Sequence, residues 1–111
     1  MVACYEKYEM TNQLLVGRTP VHPGEILRED VFPALNRPMA ELARLLGTSR
    51  TTLYAITNCK QAVTSDMALK IGKLIGTTPE MWMNLQQAYD LRISEQRLAA
   101  ELKKIPTLEA A

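Results

Sequence analysis

The most regular alternation of apolar and polar residues lies between residues 39 and 60, in the sequence MAELARLLGTSRTTLYAITNCK. Its first half has apolar residues at the spacing of one helix face, at Met39, Leu42, Ala43 and Leu46. Gly47 adopts a positive φ at no steric cost, which predicts that this helix ends at Leu46. Ser49 is a preferred N-cap and predicts the start of a second helix. The pattern therefore predicts two short helices joined by a tight turn.

The second helix has one apolar and one polar face. Leu53 and Ile56 are predicted to point inward. The residues left facing outward are Arg50, Thr51, Tyr54, Ala55 and Asn58. A purely structural helix can present any solvated mixture, but this face is short, low in acid and rich in groups that hydrogen-bond base edges and phosphates. The two helices are therefore interpreted as a helix-turn-helix that reads DNA.

The segment before these two helices predicts a first core helix. Pro23 and Gly24 open it, and it is expected to stop at Pro33, which lacks a hydrogen-bond donor. Its apolar stripe consists of Ile26, Leu27, Val31 and Phe32. The only histidine, His22, has no second ligand or nucleophile near it in the sequence, so we expect it to cap a helix or lie in a loop.

The segment that follows the helix-turn-helix predicts two more core helices. Thr64 or Ser65 caps the first, which Gly76 ends. Its inward residues are Met67, Ala68, Ile71, Leu74 and Ile75. Thr78 and Pro79 begin the second, because a capping hydroxyl precedes a proline at the first helical position. Trp82, Leu85 and Tyr89 share a face of this helix, and the tryptophan is expected to close the core.

The tail from Ile93 to Ile105 predicts a further helix that ends before Pro106. Its apolar stripe consists of Leu98, Ala99, Leu102 and Ile105. This stripe either folds back on its own domain or packs against a second copy or another protein.

The order of these elements indicates an all-α protein, a compact five- to six-helix bundle, because no run of β-branched residues alternates with polar ones. We expect three parts. Residues 1–19 form an N-terminal extension that is mobile unless a partner orders it, residues 20–92 the helix-turn-helix domain, and residues 93–111 the C-terminal helix and tail.

Composition limits the function only weakly. The 111 residues include 13 basic and 12 acidic ones, for a net charge of +1. Between residues 37 and 73, however, six basic residues stand against two acidic ones, a surplus of +4 that leaves the flanks net acidic. This asymmetry fits one surface that faces phosphates and another that faces a different partner, such as a basic protein.

Two cysteines, Cys4 and Cys59, form neither a disulfide framework nor a metal-ligand spacing and are expected to be free thiols. No cofactor or metal is expected. No apolar run approaches the ~20 residues that cross a bilayer, and no signal-like segment opens the chain, so we expect a cytoplasmic protein without a membrane span.

The order of the sequence motifs from His22 to Leu91 resembles that of one protein family. The motifs are HPGEILRED at 22–30, ELARLLGTSRTTLYAI at 41–56, TSDMALKIGKLIGTTPEMW at 64–82 and NLQQAYDL at 84–91. They are similar to the HigA (VapI-like) branch of the Xre and lambda-repressor helix-turn-helix family, the antitoxins of type II toxin–antitoxin pairs. The first and last of these motifs distinguish this branch from the rest of the family.

The resemblance implies a homodimer with a lambda-repressor-like fold, whose second motif helix enters the major groove of an operator overlapping its own promoter. It also implies that the protein binds and silences a RelE-like toxin that cleaves messenger RNA. Carried over motif by motif, the DNA-contacting residues are Ser49, Arg50, Thr51, Thr52, Tyr54, Asn58 and Lys60.

Within this set, Arg50 and Thr51 fall at the base-reading positions, Tyr54 lies one turn on, and Asn58 and Lys60 fall where the chain leaves the helix beside the DNA backbone. Arg50 is the main candidate for direct readout, since a guanidinium that bonds O6 and N7 of guanine contributes about 1–3 kcal/mol of discrimination. A phosphate clamp is the alternative role for Arg50.

Three residues depart from the family pattern. Pro38 stands where a serine or threonine usually caps the first motif helix, and Met39 stands where a glutamine is frequent. Cys59 replaces the glycine usual after Asn58, so Asn58 itself is expected to adopt the left-handed conformation, which asparagine tolerates.

Two functions remain open on the sequence alone. One is an antitoxin and autorepressor whose dimer meets half-sites ~34 Å apart. The other is a stand-alone Xre-type regulator without a toxin. An enzyme is not expected, because the sequence offers no nucleophile with a base, no paired carboxylates in a cleft and no metal ligands. Residues 1–19 are the candidate toxin-binding arm by elimination, and a disordered or folded-back segment is the alternative. Neutralisation would proceed either by covering the toxin's active surface or by keeping the toxin off the ribosome.

Overall fold

The structure is a computed structural model that describes residues 20–110. It contains five helices and, across this described range, no strand. Helix α1 runs through three consecutive segments, Pro23–Ile26, a π-helical turn Leu27–Val31, and Phe32–Leu35. The others are α2 (Met39–Leu45), α3 (Arg50–Thr57), α4 (Ser65–Ile75) and α5 (Pro79–Leu102). The all-α prediction is confirmed, while the predicted extension, residues 1–19, lies outside the described part of the chain.

Helix α1 does not stop at Pro33, so that prediction was wrong. Beyond the buried Pro23 and Gly24 at its start, the buried residues of this helix come as two pairs five positions apart, Ile26 with Leu27 and Val31 with Phe32. Hydrogen bonds of the i→i+5 type widen the helix by one residue and bring such positions to nearly the same face. The Phe32 N–H donates to the Leu27 carbonyl in this way. The widened turn lets the helix pass the proline and end at Leu35.

The predicted caps of α4 and α5 and the predicted stop of α4 are confirmed. The Thr64 hydroxyl accepts a hydrogen bond from the Met67 N–H at 3.2 Å, and Gly76 ends α4 at φ 76°. The Thr78 hydroxyl accepts from the Met81 N–H at 3.4 Å, with Pro79 at the first helical position. These local signals fix where both helices begin.

One apolar cluster joins all five helices. Its fully buried side chains include Leu27 from α1, Leu42 from α2, Leu53 from α3, Ile71 from α4 and Trp82 from α5. The tryptophan is the largest of them, and its indole N–H donates to the Thr77 hydroxyl at 2.8 Å. Trp82 therefore closes the core as predicted, with its polar atom satisfied.

The tail does not form a separate helix, because α5 continues without a break from Pro79 to Leu102. No glycine or proline interrupts the sequence between Trp82 and Ile105, so nothing stops the helix at Ile93. At the end of the predicted stripe, Leu102 is 47% and Ile105 65% exposed, so the stripe does not fold back on its own domain. None of the described helices is long and apolar enough to cross a membrane.

Candidate nucleic-acid interface

The turn between α2 and α3 follows the local rules that the sequence predicts. Gly47 takes φ 67°, and the Thr48 N–H behind it bonds the Ala43 carbonyl at 2.9 Å. Ser49 caps α3, because its hydroxyl accepts from the Thr52 N–H at 3.1 Å and donates to the Thr52 hydroxyl at 3.0 Å. The turn is therefore fixed by two short-range hydrogen-bonding motifs that together set where α3 starts.

Helix α2 begins without a side-chain cap, because Pro38 occupies the N-cap position. Met39 is half-buried and packs against the core, as expected for a residue that cannot donate to a phosphate. Met39 therefore adds to the apolar cluster that α2 shares with α3.

The inner face of α3 is completely buried. Leu53 and Ile56 are 0% and 1% exposed, and they pack in the same cluster as Leu42 and Leu46 of α2. Burying an aliphatic side chain of this size contributes about 1.5–3 kcal/mol. The two motif helices are consequently held as one rigid unit.

The outer face of α3 carries the predicted contact residues. Arg50, Thr51 and Asn58 are exposed, Tyr54 is 48% exposed, and Ala55 is half-buried. Arg50 makes no ion pair or hydrogen bond through its side chain within residues 20–110, so its guanidinium stands free at the start of the helix. The structure thus brings Arg50, Thr51 and Tyr54 onto one open face.

Ser49 and Thr52, unlike the other predicted contact residues, form the hydrogen bonds that cap the start of α3. Their hydroxyls bond each other, and Thr52 is only partly exposed. They hold the N-terminal turn of α3, whose free backbone N–H groups form an environment that favours phosphate.

The exit of α3 differs from the prediction. Asn58 has φ −88° and continues the helix by donating from its N–H to the Tyr54 carbonyl, whereas Cys59 has φ 61°. The left-handed residue is therefore Cys59, because the helix runs one residue further before the chain turns. The Lys60 N–H then returns to the Ala55 carbonyl at 2.9 Å. This closing pattern is a Schellman-type stop, in which glycine is the usual left-handed residue.

Cys59 is a free thiol, as predicted, while Cys4 lies outside the described residues. Burial raises the pKa of the Cys59 thiol, and the neighbouring Arg28 guanidinium partly opposes this rise.

Helix α1 supports the exit of α3 through two contacts that the sequence analysis missed. The Arg28 guanidinium donates from Nη1 to the Thr57 carbonyl at 3.0 Å. At Gly24, a side-chain Cβ would stand only 1.8 Å from the Ile56 carbonyl oxygen. Both residues lie in the HPGEILRED motif, but nothing in that motif indicates that its partner is the end of α3.

His22 caps α1. Its Nδ1 accepts from the Gly24 N–H at 2.9 Å, and its ring packs edge-on against Tyr89 at 4.9 Å between centroids. Burial lowers the pKa of His22, while the nearby Asp90 and Glu25 carboxylates act in the opposite direction. The capping role is confirmed, and the described residues contain no cluster of three or more possible metal ligands.

The connector between α3 and α4 is fixed by a buried polar residue that the sequence analysis also missed. The Gln86 side-chain carbonyl accepts from the Val63 N–H at 2.8 Å, and its amide donates to Asp90 at 3.0 Å. Gln86 lies in NLQQAYDL and is 4% exposed. Periodicity does place it on the inward side of α5, next to Leu85, and a glutamine at such a position is the signal that could have been used.

The basic residues are distributed unevenly around the motif. Arg37 forms an ion pair with Glu41 at 2.5 Å, which offsets its charge. Lys70 of α4 reaches the turn, since its ammonium lies 3.8 Å from where a Cβ on Gly47 would stand. Arg44 and Lys60 are exposed, and Lys60 places a positive charge just beyond the C-terminal end of α3.

A helix-turn-helix family profile matches residues 27–82 of the chain. Virulence-associated protein I of Dichelobacter nodosus is 36% identical over 76 residues, which cover 68% of this chain and 70% of that protein. The antitoxin HigA of Pseudomonas aeruginosa, solved with the higBA promoter, has a TM-score of 0.76 at 33% identity and covers 81% of this chain and 99% of its own. The chain belongs to the HigA (VapI-like) branch of the Xre helix-turn-helix family.

A second solved relative extends this finding. The antitoxin GraA, solved in complex with its operator, is 41% identical, with a TM-score of 0.76, and covers 86% of this chain and 96% of its own. The HigA family consists of DNA-binding regulators and antitoxins, so the prediction that the chain is not an enzyme is confirmed. In this chain the second helix of the motif is α3, and Arg50 lies on its exposed face.

Proposed function

We propose that the protein is the antitoxin of a type II toxin–antitoxin pair. In this proposal it binds operator DNA as a homodimer, represses its own operon and neutralises a RelE-like messenger-RNA-cleaving toxin in the bacterial cytoplasm. The observation that carries the proposal is the free guanidinium of Arg50 on the acid-free, exposed face of α3. The operator and promoter complexes of GraA and HigA support it, since both relatives share the fold over four fifths of this chain.

In the proposed complex, α3 lies in the major groove with Arg50 and Thr51 at base edges and Tyr54 one turn further along. Asn58 and Lys60 lie beside the phosphate backbone where the chain turns at Cys59. The buried inner face of α3 and the Ser49 cap hold the helix in position before DNA arrives, which reduces the ordering cost of binding.

Binding to a labelled duplex from the protein's own promoter, compared with a shuffled duplex of equal length, tests the DNA part. We expect tighter binding to the promoter duplex at each salt concentration, with affinity falling as salt rises. Equal affinity for both duplexes across the salt series would overturn sequence-specific repression.

Two chains per operator duplex are expected, with half-sites about 34 Å apart. Inserting five base pairs between the half-sites turns one half-site to the opposite side of the duplex, so it should reduce affinity to that of a single site. Unchanged affinity after the insertion would contradict the dimer.

Co-expression with the neighbouring reading frame tests the toxin part. We expect that frame to encode a small basic protein that arrests growth alone and co-purifies with this chain. A solitary gene whose product still binds its promoter selectively would instead favour the alternative, a stand-alone Xre-type regulator.

A further inference from the structure

Helix α1 meets the C-terminal end of α3 at a seam built from two residues of the first motif. Gly24 lies against the Ile56 carbonyl, with no room for a side chain between them. Four residues later, Arg28 donates from Nη1 to the Thr57 carbonyl at 3.0 Å. The seam therefore joins the start of the domain to the last turn of the helix that carries Arg50.

The Thr57 carbonyl is an acceptor that α3 itself does not satisfy. The last four carbonyls of a helix have no partner within the helix, and the negative end of the helix dipole favours a cation there. Arg28 supplies both the donor and the charge. Its Nε donates to the Glu29 carboxylate at 2.9 Å, so the planar guanidinium is held on one edge while the other edge bonds α3.

This arrangement needs an arginine rather than any cation. The guanidinium has donors in a fixed fork, and two of them are aimed at two different acceptors here. A lysine ammonium is a point charge on a flexible stem and cannot hold both directions at once. The π-helical turn that contains Arg28 and Glu29 sets their place on α1.

The Thr57 carbonyl lies directly before the residues predicted to contact the DNA backbone. Asn58 follows Thr57, and Cys59 then takes a left-handed conformation that L side chains adopt only under strain. A bond that fixes the Thr57 carbonyl therefore also fixes the direction in which Asn58 and Lys60 leave the helix.

We propose that Arg28 is a positioning residue for DNA recognition, which holds the C-terminal end of α3 so that Arg50 and Lys60 meet the same operator together. This inference rests on the proposed DNA-binding function. The Arg28 side chain is 43% exposed, so direct contact with a phosphate is the competing role that the experiment must separate.

The test compares Arg28→Lys and Arg28→Gln with Arg97→Gln, a control at an exposed residue on α5 that also removes one positive charge. Affinity for the promoter duplex and for the shuffled duplex is measured across a salt series. We expect both Arg28 variants to lose at least about tenfold in promoter affinity relative to the shuffled duplex, the size of a lost charged hydrogen bond. Arg28→Lys should leave the salt slope on the shuffled duplex unchanged, and Arg97→Gln should keep the full selectivity.

Amide hydrogen exchange provides a readout that needs no DNA. The Lys60 and Gln61 N–H groups bond the Ala55 carbonyl and report on the end of α3. We expect their exchange to accelerate in both Arg28 variants, while amides in α4 exchange at the wild-type rate. Uniform acceleration across the domain would show general destabilisation and overturn the positioning role.

Three further outcomes would overturn the inference. Wild-type affinity in Arg28→Lys, with Arg28→Gln weakened equally on both duplexes, would identify Arg28 as a phosphate contact. Wild-type selectivity in both variants would remove any role for Arg28 while leaving the proposed function intact, whereas a wild-type protein that does not distinguish the two duplexes would overturn both.

Discussion

Replacing Gly24 with alanine tests whether α1 sets the position of the DNA-reading helix. The added methyl group would stand 1.8 Å from the Ile56 carbonyl oxygen and 2.8 Å from its carbonyl carbon. Side-chain Cβ atoms essentially never approach other heavy atoms within 3.0 Å, so α1 and α3 must separate by about 1.2 Å. The obstructing atoms belong to the backbone, and they cannot move aside as the end of a flexible side chain can.

The expected magnitude follows from the cost of overpacking. An extra methyl group forced into a packed interior costs about 1–3 kcal/mol, and a backbone obstacle places this case at the upper end. Without the contact, the same change would stabilise the helix by about 0.5–1 kcal/mol, because alanine is the better helix former. The sign of the effect therefore distinguishes the two possibilities.

Thermal unfolding followed by circular dichroism measures this effect. A loss of about 3 kcal/mol lowers the Tm of a domain of this size by about 12–24 °C. Glu25→Ala is the control in the same turn. Because the Glu25 side chain is exposed, this change should alter the free energy of unfolding by less than about 1 kcal/mol. A Gly24→Ala variant as stable as the wild type would refute the proposed contact between α1 and α3.

Three other changes have defined outcomes. As pH falls below about 6.5 and through the lowered folded pKa of His22, the unfolded chain takes up a proton that the buried ring resists. The free energy of unfolding measured with urea should therefore be highest above that pH and fall below it. A His22→Asn variant should not show this fall. Gln86→Leu leaves the buried Val63 N–H without an acceptor and should cost about 1–3 kcal/mol, while exposed Gln87→Leu changes stability by under about 0.5 kcal/mol. Cys59→Gly removes left-handed strain and should raise the free energy of unfolding by about 1 kcal/mol; a loss of stability would contradict that.

Local signals predicted most helix ends correctly. Ser49, Thr64 and Thr78 each cap the helix that follows, and Gly47 and Gly76 each take the left-handed conformation expected of them. These features depend on residues within one turn of each other, so a single sequence contains all the information required.

The wrong predictions concern positions where packing elsewhere in the fold determines the backbone conformation. Pro33 was expected to stop α1, but the buried pairs on either side of the π-helical turn keep the helix going to Leu35. The left-handed residue was assigned to Asn58 from its intrinsic tolerance, whereas the hydrogen bonds of the last turn place it at Cys59. A local preference was overridden in both cases.

The supporting contacts of the site were not predictable from spacing. Arg28 bonds a carbonyl 29 residues away, and Gln86 bonds an N–H 23 residues away. No periodicity connects such positions, and only the assembled fold brings them together. By contrast, the outward-facing set on α3 was predictable, because one helix period determines it.

The exposed start of α3 is proposed to read the DNA sequence, and an Arg50→Ala variant gives the sharpest test of this role. Promoter and random duplexes are titrated in parallel with the wild type, Arg50→Ala and Lys60→Ala. Arg50→Ala should cost about 1–3 kcal/mol on the promoter duplex and far less on random DNA. Lys60→Ala should weaken both alike and reduce the salt slope by about 1. Equal losses on both duplexes for Arg50→Ala would contradict the claim and assign that guanidinium to a phosphate.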